Sequence, residues 1–275
     1  MSYQTLSVEA LSPRIGAVVS GVDLTKPLGN QQFTELFDAW MAHQVLFFRD
    51  QELTVEQHKS LGRQFGELHV HPGSPPPNGH PEVIVIHADE NSEHVSGEKW
   101  HSDVSCDAEP PMGSILHLNT VPDNGGDTLF ASMYAAYDAL SNAMKSFLAG
   151  LSATHDGESE YRGRYASRGV DDSGKTYPKA VHPVVRTHPV TGRKSLYVNR
   201  IFTTHINELT SAESAALLEY LFAHCEQPGF QCRFKWAKNS VAFWDNRCVQ
   251  HIALWDYFPQ VRSGHRITIK GDRPV

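Results

Sequence analysis

The chain has 275 residues and a formal net charge of -7, with Asp+Glu 31 against Lys+Arg 24. That balance excludes nucleic acid or an anionic membrane surface as the main partner, because both need clustered positive charge. The length suffices to bury a sizeable core, and one domain over residues 1–275 is expected.

Ile15 to Leu24 alternates β-branched and apolar residues and reads as a strand. Phe33 to His43 has helical spacing, and Thr54 with Gln57 forms a capping-box signature that opens a helix to about Phe65. Pro72 to Pro81 is a loop set by fixed proline φ angles. The apolar run Val83-Ile84-Val85-Ile86 predicts a strand buried on both faces. Ala88 to Lys99 is a polar loop, Gly113 to Leu118 a strand, and Tyr134 to Leu148 a helix. Tyr161 to Lys179 is a third long loop, of the kind that forms lids or binding loops. Val181 to His188 and Lys194 to Asn199 flank a Pro/Gly turn and read as a hairpin. Thr210 with Glu213 opens a second capped helix, carried by Leu217, Leu218, Leu221, Phe222 and Cys225. Phe230 to Trp236, Ser240 to Trp244 and His265 to Lys270 are strands. The class is mostly β with flanking helices, around a β-sandwich or jelly-roll core.

Four cysteines show no CxxC pair, which predicts free thiols in a reducing compartment. Met1 to Leu11 lacks a basic stretch followed by an apolar one, and no window approaches the ~20 apolar residues of a membrane span. A cytoplasmic protein is expected. No GxxxxGK[ST], GxGxxG or GxSxG motif is present, so nucleotide-binding and α/β-hydrolase readings lack support.

The polar residues with chemical content are His101, Asp103 and His251. Two imidazoles and one carboxylate are the ligand set of a non-heme Fe(II) oxygenase, which leaves positions open for substrate and oxygen. The triplet alone is weak. With 16 His in the chain, about one His-x-Asp arises by chance, and His87-Ala88-Asp89 is a second copy. A spacing of two puts His101 and Asp103 on one face of an extended segment. His251 joins them only if the fold brings a distant strand alongside. Any single histidine here is more simply a solvated or core residue.

Arg262 and Arg266 share a face of a regular strand, ~13 Å apart. Gly264 between them is a candidate bulge. Inward guanidiniums need anionic partners, whereas a surface strand would leave them solvated. Thr128, after Gly125-Gly126-Asp127, is either a hydroxyl donor to a carboxylate or part of an ordinary turn. His69-Val70-His71 is a rival same-face pair without a third ligand, better suited to a core or pocket lining.

The combined string resembles the taurine dioxygenase / TfdA family of Fe(II)- and 2-oxoglutarate-dependent dioxygenases, over nearly the whole chain. Its carrying segments are Ile15-Gly16-Ala17 with Gly21-Val22-Asp23-Leu24, His43 through Gln51, and Phe65 through Pro72. Then come Trp100-His101-Ser102-Asp103, Gly125 through Leu129, Trp244-Asp245-Asn246-Arg247 with Gln250-His251, and His265-Arg266 with Gly271-Asp272. The resemblance selects His101 and Asp103 over His87-Ala88-Asp89. It implies a double-stranded β-helix (jelly-roll, cupin-like) core, with Fe(II) on His101, Asp103 and His251. Arg262 and Thr128 would hold the distal carboxylate of 2-oxoglutarate, and O2 is the other co-substrate. His71 and Arg266 would hold the anionic group of the substrate, with Phe202 walling the pocket.

The chain departs from the taurine pattern at three positions. Ser74 stands where a Tyr is expected, Gly97 where an Asn is expected, and Tyr161 where a Phe is expected. The implied reaction is hydroxylation of the carbon next to a heteroatom in a small anionic substrate. That substrate is a sulfonate such as taurine or, alternatively, an alkyl sulfate ester or aryloxyalkanoate. A homo-oligomer is the expected assembly. The rivals from other classes are an inactive, metal-free cupin-like binding protein and a hydrolase on the same metal site.

Overall fold

The computed structural model describes residues 3–77, 79–164, 166 and 169–275. Asn78 of the proline-rich loop and Tyr165, Ser167 and Arg168 of the third long loop lie outside the described residues. The elements in chain order are β1 (Ser7–Ala10), β2 (Ala17–Ser20), α1 (Asn30–His43), β3 (Val45–Phe48), α2 (Val55–Phe65) and β4 (Val83–Ala88). They continue with β5 (Gly113–Thr120), β6 (Thr128–Ser132), α3 (Met133–Ala139), α4 (Asn142–Leu148), β7 (Ser152–Asp156) and α5 (Glu158–Tyr161). Next are β8 (Lys179–Pro183), β9 (Val185–Thr187), β10 (Lys194–Leu196), β11 (Thr203–Ile206) and α6 (Ser211–Cys225). The last are β12 (Gln231–Phe234), β13 (Ser240–Asp245), β14 (Val249–Ala253) and β15 (Arg262–Ile269).

A seven-stranded sheet in the order β1-β2-β3-β13-β5-β15-β4 packs over a three-stranded sheet, β12-β6-β14. Phe47, Leu116, Ala242 and Trp244 from the large sheet meet Phe130, Phe234 and Val249 from the small one in a shared core. Phe47 stacks on Phe234 with ring centroids 4.0 Å apart. This is the jelly-roll sandwich expected from the sequence. Strand alternation sends the other residues outward: Phe243, Ile115 and Ile267 pack under α1 and α2, with Trp40 stacked on Phe243 at 4.1 Å. Each such buried aromatic or aliphatic side chain contributes about 1.5–3 kcal/mol of transfer free energy. Among the described residues no helix is long and apolar enough to cross a membrane.

Both capping boxes form, Thr54 with Gln57 and Thr210 with Glu213. Three local expectations need correction. Tyr134 to Leu148 is two helices, because Leu140 is extended and Ser141 caps a new start through Met144 N–H. The run Val83 to Ile86 is an edge strand, with Val85 exposed, since β4 has only β15 as a neighbour. The first strand is shorter than Ile15 to Leu24 and covers only Ala17–Ser20.

His58 on α2 is buried against β5, where its Nε2 lies 3.2 Å from the Ile115 carbonyl and donates to it. Burial, then the neighbouring His117 and His265, pushes its pKa down to about 3. The unfolded chain protonates this imidazole near its ordinary value, ~6.5, while the folded chain does not. The unfolded state therefore binds more protons below that value, and stability falls as pH falls. His58→Gln keeps an N–H donor for Ile115. It should remove about 1.4 kcal/mol per pH unit from the slope of stability between about pH 4 and 6, read by urea unfolding. An unchanged slope would show that His58 is not the neutral buried group described.

Candidate metal centre and its two cavities

His101 and His251 are joined by their own backbones. His101 N–H donates to the His251 carbonyl at 3.1 Å, and His251 N–H to the His101 carbonyl at 2.8 Å. The imidazole centroids lie 4.2 Å apart. One ligand atom each from His101, Asp103 and His251 falls within 4.8 Å of the others, and all three residues are buried.

The expectation that His101 and Asp103 share an extended segment is corrected. Only His101 bridges to β14; residues 103–106 form a turn, with Val104 at φ 47. The turn brings Asp103 Oδ1 to 3.6 Å from His101 Nε2. A polar chain holds it there. Trp244 Nε1 donates to Asn246 Oδ1 at 2.9 Å, Asn246 Nδ2 to Ser114 Oγ at 2.8 Å, and Ser114 Oγ to Asp103 Oδ2 at 2.6 Å. Ser102 Oγ donates to the Asn246 carbonyl at 2.6 Å, closing the turn on the β13–β14 connection.

The protonation states suit a cation. His101 Nδ1 lies 2.8 Å from the Lys99 carbonyl and donates to it, which turns Nε2 toward Asp103. Burial, then His101, keeps His251 neutral, with its pKa well below the ordinary value. Burial pushes the Asp103 carboxyl up, but Arg266 outweighs it and holds the group well below the usual carboxylate range. The donor set is thus two imidazoles, His251 neutral, and a carboxylate, with buried His251 Nδ1 unpartnered among the described residues. These residues fit a divalent metal ion.

A cavity lies over the triad, lined by His101, Asp103 and Arg266 together with His71, Ser74, Tyr161 and Phe202. His71 Nδ1 accepts from the backbone N–H groups of Gly73 (3.1 Å) and Ser74 (2.9 Å), so its hydrogen sits on Nε2. Burial, then Arg266, pushes its pKa down to about 3. His71 is a neutral donor. Arg266 Nη1 pairs with Asp103 Oδ1 at 2.8 Å, while its buried Nε has no partner among the described residues.

Arg262 and Arg266 do share an inward face of β15, and the register shift falls between Ser263 and Gly264 as the sequence suggested. They serve different spaces. Arg262 lines a second cavity with Tyr257 and Ala253, and Ser96 borders both cavities. Its Nε donates to the Gly126 carbonyl at 3.1 Å and its Nη2 reaches Thr128 Oγ1 at 3.5 Å. Gly126 sits at φ +70, and a Cβ there would lie 3.2 Å from Arg262 Cδ, so glycine makes this cradle. Trp236 Nε1 also donates to Thr128 Oγ1, at 3.0 Å. With two donors on its oxygen, Thr128 retains its own O–H to donate. Among the described residues Arg262 pairs with no carboxylate, and burial lowers its pKa to about 10.

The remaining candidates separate cleanly. His87 and Asp89 pair with each other at 3.4 Å on the edge strand β4 and its end, and neither belongs to the triad's ligand cluster. His69 is held by Asp107 at 2.8 Å. A second buried cluster, His188, Asp245 and Cys248, has metal-like spacing but is already satisfied. His188 Nδ1 accepts from Val190 and Thr191 N–H, its Nε2 donates to Asp245 at 3.0 Å, and Arg247 clamps the same carboxylate. Sequence reasoning missed Ser114, Glu160 and Arg164; Ser114 is an unremarked serine in a strand, and the other two sit where a loop begins.

Comparison with known proteins agrees with this geometry. Residues 7–268 match the family described as "Taurine catabolism dioxygenase TauD, TfdA family". An alpha-ketoglutarate-dependent sulfonate dioxygenase of Saccharomyces cerevisiae is 35% identical over 98% of this chain and 68% of its own. An alkylsulfatase of Acinetobacter baylyi is 32% identical over 98% of this chain and 86% of its own. The crystal structure of a taurine dioxygenase from Burkholderia xenovorans superposes with a TM-score of 0.85 at 37% identity, covering 99% of this chain and 93% of that one. The chain belongs to the TauD/TfdA family of dioxygenases and is an oxidoreductase. The cofactor and co-substrates the family implies are Fe(II), 2-oxoglutarate (alpha-ketoglutarate) and O2.

Ser114 touches Asp103 without touching the candidate metal position. Ser114→Ala should lower divalent-metal affinity about 10- to 100-fold, the usual cost of losing an outer partner. Calorimetric titration with Co(II) measures it, and unchanged affinity would remove Ser114 from the site.

Proposed function

We propose that this TauD/TfdA-family enzyme hydroxylates the carbon next to a heteroatom in a small anionic substrate, a sulfonate in the first instance. The observation that carries the reading is one buried His–Asp–His centre flanked by two arginines in two adjoining cavities. When bound, Fe(II) with 2-oxoglutarate and O2 supplies the oxidation, as 2-oxoglutarate loses CO2 to become succinate. His101, Asp103 and His251 are the residues that would hold the iron.

Arg262 and Thr128 take the distal carboxylate of 2-oxoglutarate. A buried guanidinium with no carboxylate partner among the described residues and a hydroxyl with a free hydrogen favour an anion there. Arg266 and His71 take the anionic group of the prime substrate, through the unpartnered Nε and the neutral Nε2–H. Phe202, Tyr161 and Ser74 wall that cavity and exclude water. An alkyl sulfate ester is the second reading, favoured by the likeness to the alkylsulfatase; an aryloxyalkanoate would use the same arginines. One domain over residues 1–275, a homo-oligomeric state and a cytoplasmic location belong to the same reading. The intact triad together with Arg262 supports an oxygenase over an inactive binding protein. A hydrolase would need neither O2 nor 2-oxoglutarate.

His101→Ala should lose metal binding and iron-dependent succinate formation while its circular dichroism spectrum is retained. Full turnover by that variant would overturn the metal assignment. The arginines should separate. Arg262→Ala should mainly weaken 2-oxoglutarate and Arg266→Ala mainly the sulfonate, each by about 2–5 kcal/mol if the pairs are desolvated. Equal effects on both ligands in steady-state kinetics would refute the division.

A further inference from the structure

One buried polar pair beside the triad holds neither metal nor co-substrate. Tyr161 closes α5, lines the cavity over the triad and is 4% exposed, yet its Oη has no hydrogen-bond partner among the described residues. A buried phenol normally finds a partner, so an orphan calls for an explanation, of which redox use is one. Its polar neighbour is Cys106, a free and fully buried thiol in the turn that follows Asp103. Glycines on both sides make the slot that holds the ring. A Cβ on Gly73 would stand 2.6 Å from Tyr161 Cδ1. One on Gly157 would stand 2.9 Å from Tyr161 Cε2 and 3.0 Å from Cys106 Sγ. The ring carbon next to the phenol-bearing one and the sulfur therefore face the same gap, one methyl group wide.

The surroundings close off the usual chemistry of both groups. Burial, then Cys106, holds the Tyr161 phenol well above its ordinary pKa, and burial, then Asp107, pushes the Cys106 thiol up. Neither ionises near neutral pH, so thiolate attack, disulfide exchange and metal capture are shut. Val104, Tyr177 and Phe202 pack round the pair as one apolar cluster and shield it from solvent. What remains open is oxidation by loss of hydrogen, and Tyr161 presents its ring to the cavity over the oxidising centre. A Phe, expected at 161 from the family resemblance, lacks the phenol that makes such a ring oxidisable.

We propose that Tyr161 and Cys106 are a modification site, joined by a thioether between Tyr161 Cε2 and Cys106 Sγ when the loaded enzyme turns over without prime substrate. The S–H and Cε2–H bonds break, one C–S bond forms, and the phenol keeps its O–H. The two electrons and two protons released reduce one atom of O2 to water. The other oxygen atom passes to 2-oxoglutarate, which leaves as succinate and CO2. The new bond fastens the ligand turn, through residue 106, to α5 at the start of the third long loop. The inference rests on the family's iron and 2-oxoglutarate chemistry and is independent of which anion the cavity takes.

The test compares the full chain kept metal-free with the full chain incubated in air with Fe(II) and 2-oxoglutarate and no prime substrate. Both are then reduced, denatured, titrated for thiols and mapped by peptide mass spectrometry. The metal-free chain should show all four thiols. The incubated chain should lose one, and the peptides holding residues 106 and 161 should appear as a single species, two hydrogens lighter than their sum. Reductant leaves a thioether intact, which separates it from a disulfide. Cys106→Ala should keep its remaining thiols under the same treatment, and Tyr161→Phe should keep all four. Succinate formed by the wild type with every thiol intact overturns this inference alone, as does oxygen added to Tyr161 in place of the link. Wild-type protein that forms no succinate, with or without a sulfonate, overturns the iron and 2-oxoglutarate chemistry and this inference with it.

Discussion

The two hydrogen bonds exchanged between the backbones of His101 and His251 are the constraint from which the rest of the site follows. They join positions 150 residues apart in the chain to a single bridge between the ligand turn and β14. Side-chain position then needs little further adjustment. One imidazole follows β14, the other follows the bridge, and the turn after His101 brings Asp103 round to face both. The sandwich supplies the platform, because β14 is pinned by β6 and β6 by the aromatic core around Phe130. A site built this way inherits the rigidity of the close-packed interior.

Charge compensation organises the neighbourhood in a graded way. Asp245 is fully neutralised by Arg247 and bonded to His188, and it stabilises the strand connection behind the centre. Asp103 is shared between Arg266, Ser114 and the candidate metal position. Arg262 contacts only neutral acceptors among the described residues. The progression runs from a closed ion pair to an open cation, and the openness increases where the chemistry requires an anionic ligand. Buried charge without a partner is expensive, so its retention at Arg262 is itself informative.

Much of this was legible in the residues. The capping boxes at Thr54 and Thr210 are local and context-free, so they held. The parity of Arg262 and Arg266 survived because the irregularity at Gly264 lies in the pairing with β5 while their alternation in burial is kept. Other features depend on neighbours that sequence does not display. Val83 to Ile86 reads as doubly buried, yet a run of four apolar residues says nothing about whether the strand lies at an edge. Residues 134–148 keep helical spacing across a break that Leu140 and Ser141 make through backbone geometry. Asp103 reaches the centre by a turn, which a same-face argument cannot anticipate. Ser114 and Arg164 acquire their meaning only from partners 11 and 69 residues away, Asp103 and Val95.

Gly97 shows how tightly the centre is enclosed. It occupies φ +84, its carbonyl accepts from Ala253 N–H at 2.8 Å, and a Cβ would approach His101 Cε1 to 3.1 Å. The residue borders the cavity, so it invites redesign of the substrate space. A Cβ introduced on this backbone would press on the His101 ring, which would have to give by a few tenths of an ångström. Selectivity changes at Gly97 are therefore coupled to the position of His101, an enclosure set by backbone geometry and not by a side chain.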